Sequence, residues 1–229
     1  MIEKSGNQQE DDAMLRETGR LTSRLIHDFK NQLGGMKLYA TFLKKRFAEN
    51  AEGVEVAEKI IQGLNEMAEQ AAWVSKLTRP IEVRRENGDL AQFVEMVLSS
   101  LKAQAAAKTV EIGMETASEP MPFRFDLQQM QVALSSILVR AIDVSPAGAE
   151  IRVRLRRADE AIRIEIPDAG ETLDAERLRG FFDFLTHERL NRTSLGLAFA
   201  KRILELHGGE VVALPGEPVG TVVEILLRD

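Results

Sequence analysis

Apolar residues recur at alternating steps of three and four along the first third of the chain, a spacing typical of helices that pack in a bundle. In the first segment these residues are Ile26, Phe29, Leu33, Met36, Ala40, Leu43 and Phe47. A second segment repeats the spacing with Ala57, Ile60, Leu64, Met67, Ala71 and Val74. Turn-forming residues separate the segments, and Pro80 cannot continue the second helix. The pattern therefore predicts an antiparallel helical hairpin over residues 13–80.

A single hairpin of this kind leaves apolar surface uncovered on both of its helices. Pairing two hairpins in a four-helix bundle covers that surface, so we expect a homodimer. The segment 1–12 is charged and contains few large apolar residues, a composition that predicts disorder. The change of pattern after Pro80 predicts a second domain over residues 81–229.

The second domain alternates between helical and strand periodicity. Apolar residues at helical spacing predict helices over 89–107, 128–143 and 193–207. Alternating apolar and polar positions predict strands over 109–115, 151–155, 161–166, 210–214 and 221–227. Because most of these strands follow one another as hairpins, we expect an α/β sandwich with helices on one face of the sheet. The predicted fold class is therefore α+β, a helical hairpin followed by this sandwich.

Composition narrows the range of functions. The 229 residues include 36 acidic and 30 basic side chains, which argues against a nucleic-acid partner. No cysteine is present, and the three histidines are far apart in the sequence, which argues against a zinc site. No apolar run approaches the ~20 residues that a spanning helix needs, and the N-terminus does not read as a signal peptide. We therefore expect a cytoplasmic protein without a membrane partner.

The candidate chemistry lies in the first helix, where His27 is followed by Asp28 and, one helical turn later, by Asn31. His27 falls beside the apolar seam, so its ring is expected to be exposed. A neutral imidazole is a nucleophile for a phosphoryl group, and a neighbouring carboxylate can orient it and take up a proton. The Asn31 amide can orient a water or a phosphoryl oxygen. The three residues predict a site that handles phosphoryl groups.

Three further residues are candidates for partner binding. Lys30 is either a charge partner for phosphoryl oxygens or an ordinary surface lysine. Gly34 and Gly35 stand inside the predicted helix, where each glycine costs about 1 kcal/mol relative to alanine. Such a pair indicates a bend, a bare surface that a partner's backbone approaches closely, or a local weakness that the helix simply tolerates.

The order of a histidine-bearing hairpin and an α/β sandwich resembles the bacterial two-component histidine kinases over nearly the whole chain. Residues 27–31 resemble the H-box of that family, 167–170 its G1 box and 194–201 its G2 box. The sandwich is similar to the GHKL-type ATP-binding domain. The resemblance implies that His27 is the phospho-acceptor and that Asp168 reads the amino group of adenine.

The second domain departs from the family pattern at the nucleotide site. The positions of two N-box asparagines hold Ser136 and Arg140, and the second of these normally binds Mg²⁺. An arginine there repels a cation, although it could pair with phosphate directly. Thr172, Arg192 and Ser194 stand where glycines usually approach phosphates. We expect a vestigial nucleotide site at Ser136, Arg140, Asp168, Gly170 and Gly196.

These observations predict a histidine phosphotransferase that passes phosphate between His27 and receiver-domain aspartates of response regulators. Such transfer requires no cofactor on this chain, because the receiver supplies Mg²⁺ and aligns the phosphoryl group; ATP with Mg²⁺ is not expected to bind tightly. Two alternatives stay open. One is an ATP-dependent histidine kinase or kinase-phosphatase, and the other is a non-enzymatic module that sequesters a receiver.

Overall fold

The structure is a computed structural model that describes residues 3–78, 81–116, 120–158, 161–184, 186 and 192–228, with side chains from residue 25 onward except at positions 78, 116, 158 and 192. The chain divides into two compact units, Met1–Ile81 and Glu82–Asp229. The border lies one residue beyond the boundary that the sequence predicts. Among the described residues, no helix combines the length and apolar character needed to cross a membrane.

Two long helices, α1 (Glu3–Arg46) and α2 (Ala51–Thr78), make up the first unit and pack against each other. The Asn50 side chain accepts a hydrogen bond from the backbone N–H of Gly53 at 3.0 Å and so caps the start of α2. Near the end of α1, Lys44 forms an ion pair with Glu58 of α2 at 2.7 Å. The short connection therefore turns the chain back along itself.

Helix α1 differs from the sequence expectation at its beginning. It begins at Glu3, whereas the sequence predicts disorder over 1–12; the glutamate and glutamine residues of this segment have good helix propensity. The helix also continues through Gly34 and Gly35 without interruption. Among the described residues, a Cβ at either glycine would meet nothing within 4 Å. The helix surface at the two glycines is therefore bare.

The packing of α1 against α2 buries only part of the apolar seam of these helices. Leu33 and Ala40 of α1 and Ala57 and Ala71 of α2 are buried. Large apolar side chains remain exposed along the same helices: Phe29, Met36, Leu43, Phe47, Ile60 and Met67. Exposed apolar surface of this kind is typical of protein–protein contacts. A homodimer stays a prediction that this surface supports.

The second unit contains seven strands and four helices in its described residues. They are β1 (Glu86–Asp89), α3 (Leu90–Ala107), β2 (Glu111–Thr116), β3 (Pro122–Phe125), α4 (Leu127–Val144), β4 (Glu150–Ala158), β5 (Ala161–Pro167), α5 (Ala175–Arg179), α6 (Arg192–Leu206), β6 (Glu210–Pro215) and β7 (Thr221–Arg228). Five strands form one sheet in the order β2-β4-β5-β7-β6. Strands β2 and β4 are parallel, and the other neighbours are antiparallel.

One face of this sheet forms the core of the unit. Alternate residues of β4, β5 and β7 are buried: Ile151, Val153, Leu155, Ile162, Ile164, Ile166, Val223, Ile225 and Leu227. The buried faces of α3, α4 and α6 cover them, with Leu98, Ile137 and Ile203 almost inaccessible to solvent. The opposite face carries ion pairs such as Arg154 with Glu165 at 3.7 Å. An α/β sheet with helices on one face is thus confirmed.

The sequence does not predict β1, β3 or α5. Strands β1 and β3 form a separate antiparallel pair, in which Asp89 lies opposite Pro122. The polar residues of β1 and the prolines around β3 hide this pair from a periodicity analysis, because prolines normally indicate a break. The polar turn predicted at Asp159 and Glu160 lies outside the described residues.

Candidate functional site

The His27 side chain lies on the solvent side of α1 and is 71% exposed. Its Nδ1 atom lies 3.5 Å from Oδ1 of Asp28 and 3.3 Å from Nδ2 of Asn31. Both neighbours therefore meet the same ring nitrogen. Among the described residues, no hydrogen bond reaches Nε2. The structure brings the three residues of the predicted phosphoryl site together, and their catalytic role stays a prediction.

The two contacts of Nδ1 require different tautomers of the ring. When Nδ1 carries the proton, it donates to the Asp28 carboxylate, and Nε2 keeps its lone pair. When the proton is on Nε2, Nδ1 can accept from the Asn31 amide. Only the first tautomer presents an unprotonated nitrogen to solvent. Asp28 therefore favours the tautomer in which Nε2 is unprotonated and nucleophilic, whereas Asn31 favours the tautomer in which Nε2 carries the proton.

The three predicted partner-binding residues follow along α1. Gly34 is exposed, whereas Lys30 and Gly35 are half-buried. The two glycines lie about two helical turns after His27. Contact of any of the three with a partner stays a prediction.

A second cluster surrounds Asp168, which directly follows β5 and has a side chain that is 2% exposed. Its Oδ1 atom accepts from the backbone N–H groups of Gly170 at 2.9 Å and Thr221 at 3.2 Å. Its Oδ2 atom accepts from Nη1 of Arg140 on α4. Residues from three segments thus hold one buried carboxylate.

Arg140, which contacts this carboxylate from α4, is itself buried. Its guanidinium also lies over the ring of Phe181, 4.7 Å from the ring centroid. Burial lowers the pKa of Arg140, and the neighbouring Asp168 only partly offsets that effect. From the sequence, Arg140 could pair with a phosphate; in the structure it pairs with Asp168 instead. An unpaired buried charge is strongly unfavourable, so the two residues neutralise each other.

Two other residues of the expected nucleotide site have local partners. The hydroxyl of Ser136, one turn before Arg140, donates to the carbonyl of Val132 at 2.8 Å. Thr172 accepts from the backbone N–H of Gly220 at 3.2 Å through Oγ1. These contacts bind the side chains to neighbouring backbone.

The G2 positions form the beginning of α6. Ser194 and Gly196 are buried there. Arg192 is the first residue of the helix, and its side chain lies outside the described part. Gly196 is therefore a buried residue within α6.

Gly220 and Thr221 complete the surroundings of Asp168. Gly220 has a φ of +87°, and a Cβ there would collide with the Asp168 carbonyl oxygen, so only glycine fits. Thr221 is fully buried, and its Oγ1 atom has no hydrogen-bond partner among the described residues. The sequence carries no signal for Phe181.

A third polar cluster joins distant parts of the second unit. Nε2 of His207 accepts from the Asp126 backbone N–H at 2.9 Å, and Nδ1 lies 2.8 Å from the carbonyl of Ile203. The Asp126 carboxylate caps α4 through Gln129 at 3.0 Å and accepts from the Arg84 N–H at 2.9 Å. Burial lowers the pKa of His207. His207 is therefore a neutral structural residue.

The pKa of Asp126 responds to two opposing influences. Burial raises it, hydrogen bonds from backbone N–H groups, led by Gln129 and Arg84, lower it, and the pKa in the folded protein is lowered overall. The carboxylate is therefore ionised in the folded protein at neutral pH.

Comparison with known proteins places these clusters in a family context. Residues 125–229 match the family described as "Histidine kinase-, DNA gyrase B-, and HSP90-like ATPase". The signal transduction histidine-protein kinase AtoS of Escherichia coli is 26% identical over 207 residues, which cover 88% of this chain and 34% of AtoS. The kinase ZraS of Klebsiella oxytoca is 21% identical over 196 residues, which cover 85% of this chain and 42% of ZraS. The homologues of this chain are sensor histidine kinases.

Solved structures of histidine kinases have the same fold. Full-length ShkA, solved in complex with AMPPNP, superimposes with a TM-score of 0.69 at 19% identity, over 90% of this chain and 44% of ShkA. The mycobacterial kinase MprB superimposes with a TM-score of 0.57 at 22% identity, over 63% of this chain and 97% of that structure. The comparisons support a relationship with the two-component histidine kinase family. The chain spans less than half the length of the curated relatives named above.

ATP with Mg²⁺, which this fold family implies, does not fit the residues present. Asp168 has both carboxylate oxygens engaged, and Oδ2 binds a guanidinium instead of a neutral amino group. Arg140 adds a positive charge where a metal-binding amide is expected, and two like charges 4 Å apart repel by about 4 kcal/mol at an effective dielectric of 20. Within the described residues, no group of three histidine, aspartate or glutamate side chains is arranged to hold a metal.

Proposed function

We propose that this protein is a histidine phosphotransferase that carries phosphate on His27 to or from receiver-domain aspartates of response regulators. The observation that carries the proposal is the exposed imidazole, whose Nδ1 atom lies beside Asp28 and Asn31. An exposed nucleophile on a helix is accessible to another protein domain. The kinship with sensor histidine kinases supports the same type of partner, as well as a homodimer built from the apolar seam.

The chemical step is a transfer between two side chains. The Nε2 lone pair attacks phosphorus, a nitrogen–phosphorus bond forms, and the bond between phosphorus and the receiver's carboxylate oxygen breaks. The imidazole then carries the phosphoryl group at Nε2 and the proton at Nδ1, so the ring becomes positively charged. The Asp28 carboxylate stabilises this charge or takes up the proton. The receiver supplies Mg²⁺, and this chain contributes the nucleophile and its orientation.

The Arg140–Asp168 ion pair favours transfer between proteins over phosphorylation from ATP. A kinase needs its nucleotide site open, and here the buried carboxylate is neutralised by an arginine of the same chain. The alternative of an ATP-dependent histidine kinase draws support from the family match over residues 125–229. A module that only sequesters receivers would not use the His27 nucleophile. Direct phosphotransfer measurements separate the three functions.

The deciding experiment mixes the protein with receiver domains that carry radiolabelled aspartyl phosphate. We expect label to appear on the parent protein and the His27→Gln variant to acquire none, because His207, the other histidine among the described residues, is buried with both ring nitrogens in contact with backbone. Gln32→Ala, a change at another exposed position of α1, is the matched control and should transfer as the parent does. Label on the His27→Gln variant would contradict the proposal. Rapid labelling of His27 from ATP alone would favour the kinase.

A further inference from the structure

Residues 82–85, here called the entry segment, lead from the start of the second unit into β1 and belong to no helix or strand. Two adjacent members of this segment bind groups that lie far along the chain. The backbone N–H of Arg84 donates to Oδ2 of Asp126 at 2.9 Å. Nη2 of Arg85 donates to the carbonyl of Leu206 at 2.8 Å. These two hydrogen bonds attach the entry segment to the beginning of α4 and to the end of α6.

Both points of attachment adjoin the buried imidazole of His207. Its Nε2 atom accepts from the backbone N–H of Asp126 at 2.9 Å, and Leu206 precedes it in the chain. Its Nδ1 atom donates to the carbonyl of Ile203 at 2.8 Å. His207 is inaccessible to solvent, and Asp126 is 9% exposed. One neutral ring therefore stands next to both groups that hold the entry segment.

Protonation of Nε2 changes the partners of this ring. An imidazolium has no acceptor, so the Asp126 N–H loses its hydrogen bond. The pKa of His207 is lowered chiefly by burial; among the charged groups of the described residues, Arg85 lowers it further and Asp126 raises it. The imidazolium thus attracts the Asp126 carboxylate and competes for it with the Arg84 N–H. It also repels the Arg85 guanidinium. One proton therefore weakens both hydrogen bonds of the entry segment.

We propose that His207 is an acid-sensitive latch: a proton from solvent that binds Nε2 releases Arg84 and Arg85 while the sheet of the second unit stays folded. Local opening of an exposed segment requires less free energy than unfolding of a core, and Arg84 and Arg85 are exposed. The open state binds the proton more readily than the closed state, so the latch weakens as pH falls below about 6.5. The inference goes beyond phosphotransfer through His27 and does not depend on it.

Amide hydrogen exchange, measured by NMR on the full chain at pH 7 and 5.5 and corrected for intrinsic rates, tests the latch. We expect the protection of the Arg84 amide to fall about 5- to 10-fold, the range that one histidine proton sets. The Arg177 N–H, which donates to another aspartate, Asp174, at 2.8 Å, is the matched control and should change less than about 2-fold. Ile164 in the central strand β5 should stay more protected than Arg84 at both pH values, because the opening is local.

Two variants assign the effect to one histidine. His207→Gln keeps an acceptor for the Asp126 N–H but does not titrate, so its Arg84 protection should not respond to pH. His27→Gln removes an exposed histidine and should respond as the parent does. A response that persists in His207→Gln overturns the inference.

Three results with the parent protein also overturn it. They are an Arg84 amide that responds no more than Arg177, a loss of protection that begins only below pH 5, where carboxylates titrate, and equal protection of Arg84 and Ile164, which would mean global unfolding. If circular dichroism shows that His207→Gln does not fold, these measurements on the parent decide. Failure of phosphate transfer to His27 would count against the proposed function alone.

Discussion

The His27 and Asp168 clusters both contain an aspartate beside a basic side chain, yet they are built in opposite ways. At His27 the residues are neighbours on one helix, the side chains of His27 and Asp28 are 71% and 64% exposed, and their contact is 3.5 Å long. At Asp168 the partners come from three separate segments, and the carboxylate is almost completely buried. The exposed cluster leaves a ring nitrogen available to another molecule. The buried cluster neutralises its charge within the chain.

Because of this difference, we expect the His27 cluster to affect phosphotransfer and the Asp168 cluster to affect the stability of the fold. An exposed pair in water contributes little to folding, because the surroundings already solvate both groups. A buried pair contributes to the integrity of the core, since the loss of one member leaves the other without solvation. Substitutions at His27 and its neighbours should therefore alter transfer without altering stability. Substitutions around Asp168 should lower stability without altering transfer to folded protein.

The largest effect on stability is expected for Asp168→Ala. The change leaves the buried Arg140 guanidinium and the N–H groups of Gly170 and Thr221 without their acceptor, and removal of one member of a buried ion pair typically costs about 3–5 kcal/mol. Urea unfolding followed by circular dichroism measures the loss. Arg154→Ala on the solvent face of the sheet should cost less than about 1 kcal/mol. Equal losses for the two variants would contradict the distinction between buried and exposed pairs.

An intermediate effect is expected for Asp28→Asn, and it should appear in the rate alone. The neutral amide favours the Nδ1–H tautomer less strongly than the carboxylate, so transfer to His27 should slow by about 10- to 100-fold, or about 1.4–2.7 kcal/mol in barrier height. Rapid-quench measurements give the rate, and ¹⁵N shifts of the imidazole report the tautomer. Unfolding should match the parent. An unchanged rate would remove Asp28 from the mechanism.

The smallest effect is expected from the titration of His207. Its pKa is lowered by burial in the folded state, so the unfolded chain binds the proton first, and stability falls as pH drops below about 6.5. The slope cannot exceed about 1.4 kcal/mol per pH unit for one group, and a loss of about 1 kcal/mol between pH 7 and 5.5 is expected. Asp126 titrates at lower pH and does not contribute there.

Urea midpoints at several pH values test this expectation. His207→Gln supplies an acceptor for the Asp126 N–H but does not titrate, so its stability should change less between pH 7 and 5.5 than that of the parent. If the two proteins show the same pH dependence, His207 is not the group that titrates in this range.

The His27 cluster could be predicted from sequence because its geometry is local. Residues one and four positions from a histidine lie near it on any helix, and the apolar seam predicts which side faces solvent. The main helices and strands of the second unit are predicted for the same reason, since periods of 3.6 and 2 are visible within single segments. The helix α3, for example, begins one residue after the predicted start, where Asp89 serves as its N-cap.

The Asp168 cluster could be predicted only in part. The motifs identify Asp168 and Arg140 separately, but the two residues lie 28 positions apart, and nothing in a single sequence indicates that they form an ion pair. Phe181 carries no motif at all. The β1–β3 pair was missed because it depends on strands 36 residues apart that are rich in polar residues and proline. Long-range pairing is a property of the packed chain.

The hydrogen bond between His207 and the backbone of Asp126 has a further consequence for the kinetics of folding. It joins residues separated by 81 positions in the chain. Contacts of such high sequence separation require a large loop to close before they can form, and loop closure of this kind slows folding. Because this loop is large, we expect the bond to form late, after the transition state. A contact that forms at that stage slows unfolding without accelerating folding. The bond between α4 and the end of α6 would then act chiefly on the lifetime of the folded unit.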